Sequence, residues 1–231
     1  MSWRWWDGSR WTEHLMAAAV AGPSGEWAWS IRNAGQAEAR LSGWASGAVA
    51  LYAATQTAST IALVATLPAV SRYIHQAFDS FGATPPQEPV AFRVMSLLEF
   101  PVVLVAGIVF LIWQYRAATT ARALGYPARR SPALGAWSWI IPVVNLWFPY
   151  QAIRDLLPPG HALRALVLRT WLCYICSLFA VTASYLVALS SSGLGQAVGC
   201  VAIVGWIVVG TGAYRVAKAV AADHAAAVGR Y

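Results

Sequence analysis

The sequence predicts an all-α membrane protein: four transmembrane helices with a Pro-broken re-entrant or interfacial helical hairpin on the cytoplasmic side. Three observations carry this reading. Of 231 residues, 58% are hydrophobic and only 11% charged, a balance of neither a soluble domain nor a disordered chain. Four apolar runs are long enough to cross a hydrocarbon layer of ~30 Å. Residues 131–159 are apolar enough to enter a bilayer, yet Pro142, Asn145 and Pro149 interrupt them where a spanning helix needs unbroken backbone bonds.

Charge and cysteine usage narrow the class. The net charge of +7 comes from fifteen arginines and one lysine, a ratio that, with the alanine excess, points to a GC-rich bacterial genome. These residues flank apolar runs, so they read as membrane-surface anchors and not as a nucleic-acid site. Three cysteines inside apolar segments and four scattered histidines form neither a disulfide framework nor a zinc spacing. No catalytic residue, cofactor or metal site is expected. No cleavable signal peptide is visible, since the first thirty residues offer only the short run Met16 to Ala21.

In order, the chain divides into a tryptophan motif at 1–20, a linker at 21–43, a membrane domain at 44–220 and a tail at 221–231. The motif packs Trp3, Trp5, Trp6 and Trp11 around an Asp7-Gly8 turn signal, a pattern suited to a compact hairpin. Trp6-Asp7-Gly8, Trp11-Thr12 and His14 resemble the WDG-x-x-WT-x-H core of a short tryptophan-rich domain of unknown function often found before bacterial membrane segments. The Gly-Trp-Tyr and Asp-Pro half that comes first in that family is absent here, so the motif is a remnant or the true start codon lies upstream.

The first span, 44–67, is stopped by Pro68 and carries Thr55, Gln56, Thr57, Ser59 and Thr60, so it should face protein more than lipid. Gly43 and Gly47 make a small-residue pair that favours close helix packing. Beyond Pro68, Val70, Tyr73, Ile74, Ala77, Phe78 and Phe81 give one face of an interfacial helix, with His75 at headgroup level. An extended Pro-rich connector, 84–89, follows.

The second span, 94–115, holds Pro101 and, about one turn inside its outer boundary, Glu99. An acid at that depth is a proton site or cation ligand if it faces the bundle; it can also snorkel outward or meet Arg72 or Arg93. The helical pattern runs on to Leu124, roughly 46 Å in all at ~1.5 Å per residue, so this helix projects beyond the membrane. In the broken segment Pro142 ends a first half-helix and Pro149 opens a second, which Pro158-Pro159 stops. Spans three and four, 170–189 and 194–214, are joined by a turn at 190–193 and are antiparallel neighbours. Gly195 and Gly199 form another small-residue pair, and the last helix continues into the alanine-rich tail.

Charge sets the topology. If 134–150 does not cross, fourteen of the sixteen Lys and Arg lie on the amino-terminal side and only Arg72 and Arg93 lie opposite; if it crosses, the count is eight against eight. The positive-inside rule selects the first arrangement: a bacterial plasma-membrane protein with both termini cytoplasmic.

The central residues also carry a resemblance. Ser131-Pro132, Trp139, Pro142, Asn145-Leu146-Trp147, Pro149-Tyr150-Gln151 and Arg154-Asp155, preceded by Phe110, Trp113, Arg116 and Leu124-Gly125, resemble an uncharacterised bacterial membrane family catalogued as a domain of unknown function. The likeness covers roughly 44–220. Ala118 and Thr120 stand where that family tends to have arginine and asparagine, Ser138 replaces a tryptophan and Phe148 a basic residue. The resemblance implies a multi-pass membrane protein and brings no activity with it.

Three functions are open. A non-catalytic scaffold would present the basic, Trp/Pro-rich hairpin to anionic lipid or to a cytoplasmic protein partner, and it is favoured because the unusual residues gather on that face. A small oligomeric channel or transporter would use Glu99 and the broken helix at Pro142 and Asn145; a homo-oligomer is needed there. A membrane thiol oxidoreductase would use Cys173 and Cys176, spaced i and i+3, though the apolar setting favours packing over reactivity.

Overall fold

The computed structural model describes residues 3–6, 11–16, 25–79 and 90–231. A two-stranded antiparallel hairpin, β1 (Trp3–Trp6) and β2 (Trp11–Met16), pairs Trp6 with Trp11 and Arg4 with Leu15. Asp7, Gly8 and the connector 80–89 lie outside the described residues.

Among the described residues seven helices follow: α1 (Gly25–Asp79), α2 (Val90–Ala123), α3 (Pro132–Trp137), α4 (Pro142–Asn145), α5 (Phe148–Arg154), α6 (Arg164–Ala188) and α7 (Ser192–Val228). Four of them, α1, α2, α6 and α7, are long and apolar enough to cross a membrane. α1 packs on α2 and α7, and α7 packs on α6. α2 and α6 are bridged by the short helices, α3 resting on α2 and α5 on α3 and α6.

Two boundaries differ from expectation. The segment read as a linker, 21–43, is helical from Gly25, and Pro68 does not end the first span. α1 is therefore one helix of 55 residues, about 82 Å at ~1.5 Å per residue, and the interfacial helix expected at 70–81 is its continuation. A proline inside a helix removes one N–H and frees the carbonyl four residues back, here that of Val64. Gln196 of α7 donates its Nε2 to that carbonyl at 2.9 Å, so the break is repaired from the neighbouring helix. Beyond Pro68, Ser71 and His75 donate to the last carbonyls of α6, at Ala188 (2.8 Å) and Leu189 (2.9 Å). His75 is thus exposed but engaged.

The linker is helical because its buried positions fall at 28, 31, 38 and 45, with the half-buried Gly35 and Ser42 between, the alternating three and four spacing of a coiled-coil seam. α7 answers with Gly195, Gly199, Ala202, Trp206, Val209, Val216, Val220, His224 and Ala227. Small residues set the approach. A Cβ added at Gly199 would clash with Val64, and one at Gly195 would sit 2.7 Å from both Ala188 and the Ser184 carbonyl. The Gly43 and Gly47 pair, in contrast, meets nothing within 4 Å and serves no close contact.

Replacing Gln196 by leucine leaves the Val64 carbonyl unpaired and should cost about 1–3 kcal/mol, read as a lowered thermal midpoint in detergent. Adding Pro68→Ala should recover most of that loss, because the restored backbone N–H can bond Val64 directly. Independent, additive losses from the two substitutions would contradict the repair.

Candidate functional site

A buried amide on α2 anchors the first half of the hairpin. Gln114 of α2 donates Nε2 to the Gly135 carbonyl at 3.1 Å and accepts the Trp139 indole N–H on Oε1 at 2.6 Å. Ser138 donates to the same carbonyl at 2.6 Å, and Ser131 caps α3 by accepting from the Leu134 N–H at 3.1 Å, with Pro132 in its first turn. Gly135 lets this happen: a Cβ there would lie 3.2 Å from Ala152, so α3 and α5 touch backbone to side chain.

Trp139 fills the space between α2 and α6. Its ring stands edge-on to Phe110 (5.3 Å), Trp171 (5.5 Å) and Tyr174 (6.0 Å), pairs that are each worth ~0.5–1.5 kcal/mol beyond area burial. Tyr174 also packs on Trp206, whose ring meets Tyr52 of α1, and Tyr174 lies near Asn145 at the end of α4. The Pro142 break therefore places Asn145 against a core that joins α1, α6 and α7.

Arginine and carboxylate chemistry closes the other end. Asp155, buried, accepts from the Arg129 backbone N–H (3.0 Å) and from Arg154 Nε (3.1 Å) and Nη2 (2.9 Å). Arg130 donates to Gln151 Oε1 at 3.3 Å and lies over the Phe148 ring at 3.8 Å. Arg130 thus ties the loop before α3 to the start of α5. Trp147 stacks on Tyr150 at 5.5 Å, Pro149 is buried, and Leu146 and Trp147 are exposed.

Sequence reasoning missed one pair. Glu38 of α1 and His224 of α7 are each 2% exposed, with Nδ1 at 2.7 Å from Glu38 Oε2 and Nε2 at 2.8 Å from the Leu156 carbonyl. A carbonyl only accepts, so Nε2 carries hydrogen; Nδ1 and the carboxylate then share the second proton, and the pair is neutral as a unit. Beside it, His161 meets Asp223 at 2.8 Å. The Tyr126 ring lies 5.8 Å from His224, and burial, ahead of the Asp223 carboxylate, lifts its hydroxyl above its ordinary range. The signal was Glu38 at the seven-residue spacing of Ile31 and Ala45, hidden because an acid breaks an apolar seam.

Glu99 faces the bundle, as one reading allowed. Gln56 of α1 donates to its Oε1 at 2.9 Å, above a cleft that α6 also lines. Cys173 is half-buried and Cys176 exposed on α6, so the two thiols do not share a buried site.

Gln114→Leu should strand the Trp139 N–H and weaken hairpin docking by about 1–3 kcal/mol, seen as faster amide exchange over 132–149 with α6 and α7 unchanged. Glu38→Gln should cost more, about 3–5 kcal/mol in thermal unfolding, because it removes the partner of a buried charge. The double change Glu38→Leu with His224→Leu should recover part of it.

Comparison with known families completes the picture. The model for "Domain of unknown function (DUF4328)" matches residues 88–229, from just before α2 to the end of α7. That for "Protein of unknown function (DUF2510)" matches residues 1–24. No curated protein and no solved structure matches. With its docked hairpin inside a match that spans more than half its length, the chain belongs to the DUF4328 family of helical proteins with candidate membrane spans.

Proposed function

We propose that this protein is a non-catalytic scaffold of the bacterial plasma membrane, with the hairpin and both termini on the cytoplasmic side, where a positive belt meets anionic lipid and a protein partner. The position of the cations supports this reading most. Ala45, Trp113, Ala117, Val167 and Val216, with Leu156 and Leu157 of the hairpin, form one packed layer. Arg116, Arg169, Arg215 and Lys218 are exposed within a few residues of it, on three helices. Cations at one end of a bundle mark the cytoplasmic boundary, and each adds ~1 kcal/mol of attraction to an anionic surface.

The hairpin and the stalk fit the same role. Its exposed residues, Trp137, Ile140, Val143, Leu146 and Trp147, suit the interface between headgroups and acyl chains, while the motif residues turned inward hold it in place. α1 and α7 run on together past the belt: from Arg40 back to Gly25 is about 22 Å of helix, with the segment 1–24 attached to its end. A rigid arm of that length holds a small domain clear of the headgroups.

The decisive measurement is made in proteoliposomes and in cells. Ion and solute flux should stay at the level of empty vesicles. A photo-crosslinker at Trp147 should capture a protein whose yield falls several-fold in Arg116→Gln, Arg169→Gln, Arg215→Gln combined, and is unchanged in Glu99→Gln. Flux above background that is lost in Glu99→Gln would select the channel, and redox turnover lost in Cys176→Ser the thiol enzyme. Labelling of Arg230→Cys from outside intact cells would overturn the orientation.

A further inference from the structure

The cleft beneath Glu99 has a polarity that the scaffold reading does not use. It is lined by Gln56, Thr60 and Thr66 of α1, Met95 and Glu99 of α2 and Tyr185 of α6, and encloses about 70 Å³. α2 leans on α1 and α6 on α7, with no extensive packing between α2 and α6. The cleft is therefore flanked by two helices whose outward residues, among them Leu97, Leu98, Phe100, Phe179 and Leu186, are exposed and apolar. In a bilayer those residues face acyl chains, and the way into the cleft is from the side.

Its one formally charged side chain is an acid, Glu99, and several of its hydroxyl hydrogens are already committed. The Thr60 hydroxyl donates to the Gln56 carbonyl and the Thr66 hydroxyl to the Ala62 carbonyl, each at 2.7 Å. The Gln56 amide donates to Glu99. The second carboxylate oxygen, the amide oxygen and hydroxyl lone pairs remain as acceptors toward the space, beside the second Gln56 N–H and the Ser59 and Tyr185 hydroxyls. A guest that donates to these oxygens and also carries positive charge offsets the cost of a carboxylate at that depth.

We propose that this cleft binds the primary ammonium group of an aminophospholipid entering from the surrounding leaflet. A primary ammonium brings one positive charge and three N–H donors, matching a carboxylate and its neighbouring oxygens. The space, about 70 Å³ and open at one side, takes the ammonium end while the phosphodiester and chains stay outside. Glu99 lies fourteen residues before Trp113 on α2, about 21 Å along the axis from the belt layer, so the cleft sits toward the opposite face, near headgroup depth. A trimethylammonium headgroup has the charge without the donors, so it forgoes those hydrogen bonds and binds more weakly.

The test uses the full chain in detergent micelles with phosphatidylethanolamine, phosphatidylcholine and phosphatidylglycerol of identical acyl chains, the label carried on the chain. Ethanolamine lipid should bind at least tenfold more tightly than choline lipid. Glu99→Gln should bring the two within twofold, while Glu99→Asp, which keeps the charge, should retain most of the preference. Unchanged thermal unfolding of the Gln variant excludes misfolding as the cause. Equal binding of the two lipids by the unmodified chain, or a preference that survives Glu99→Gln, overturns the proposal. So does displacement of the lipid by free ethanolamine at the lipid's own concentration, which would place a soluble amine in the site.

Discussion

In a hydrocarbon layer a carbonyl that loses its helix partner must find another, and this fold answers that demand with side chains from neighbouring elements. Gln196 reaches Val64 where Pro68 has freed it, and Gln114 reaches Gly135 inside the hairpin. Ser71 and His75 close the end of α6, His224 reaches Leu156, and Arg164 donates to the Leu157 carbonyl at 2.7 Å. Each such bond also joins two elements that are distant in sequence or separated by a turn. The proline breaks, local defects when taken alone, become the points where the bundle is tied together.

That dependence explains the arrangement of the proline-rich segment. Trp139, Asn145, Gln151 and Asp155 are the residues turned toward the helices, and Pro142 and Pro149 open the short helices that aim them. The segment is therefore a docking pattern first. Arg130 over Phe148 follows the same logic, a cation on an aromatic face that ties the preceding loop to the same turn.

Much of this was legible in the sequence. The four apolar runs, the turn between spans three and four, the helical tail and the Gly195–Gly199 contact follow from periodicity and small-residue spacing. Two things did not. Pro68 reads locally as a stop, and only Gln196, 128 positions away, turns it into a tolerated interior residue. Residues 21–43 read as a mixed-charge linker because, Ile31 apart, the seam they begin is built of alanine, glycine, serine and one glutamate, which carry almost no hydrophobic signal until a partner helix is laid against them. The Glu99–Gln56 bond was half visible: an intramembrane acid announces itself, but which of several polar residues on α1 it meets depends on helix rotation.

The stalk illustrates what a lone ionic pair among alanines can do. Alanine against glycine and valine is nearly featureless, and two such helices can glide past each other by a heptad with little change in contact. Glu38 forbids it. Sliding α7 by seven residues would bring Ala217 or Tyr231 to the carboxylate in place of His224, leaving an acid enclosed without a counter-ion. The pair thus acts as an index pin, fixing the axial setting of two rods together with Arg32 and Trp27, which meet Tyr231 at the far end.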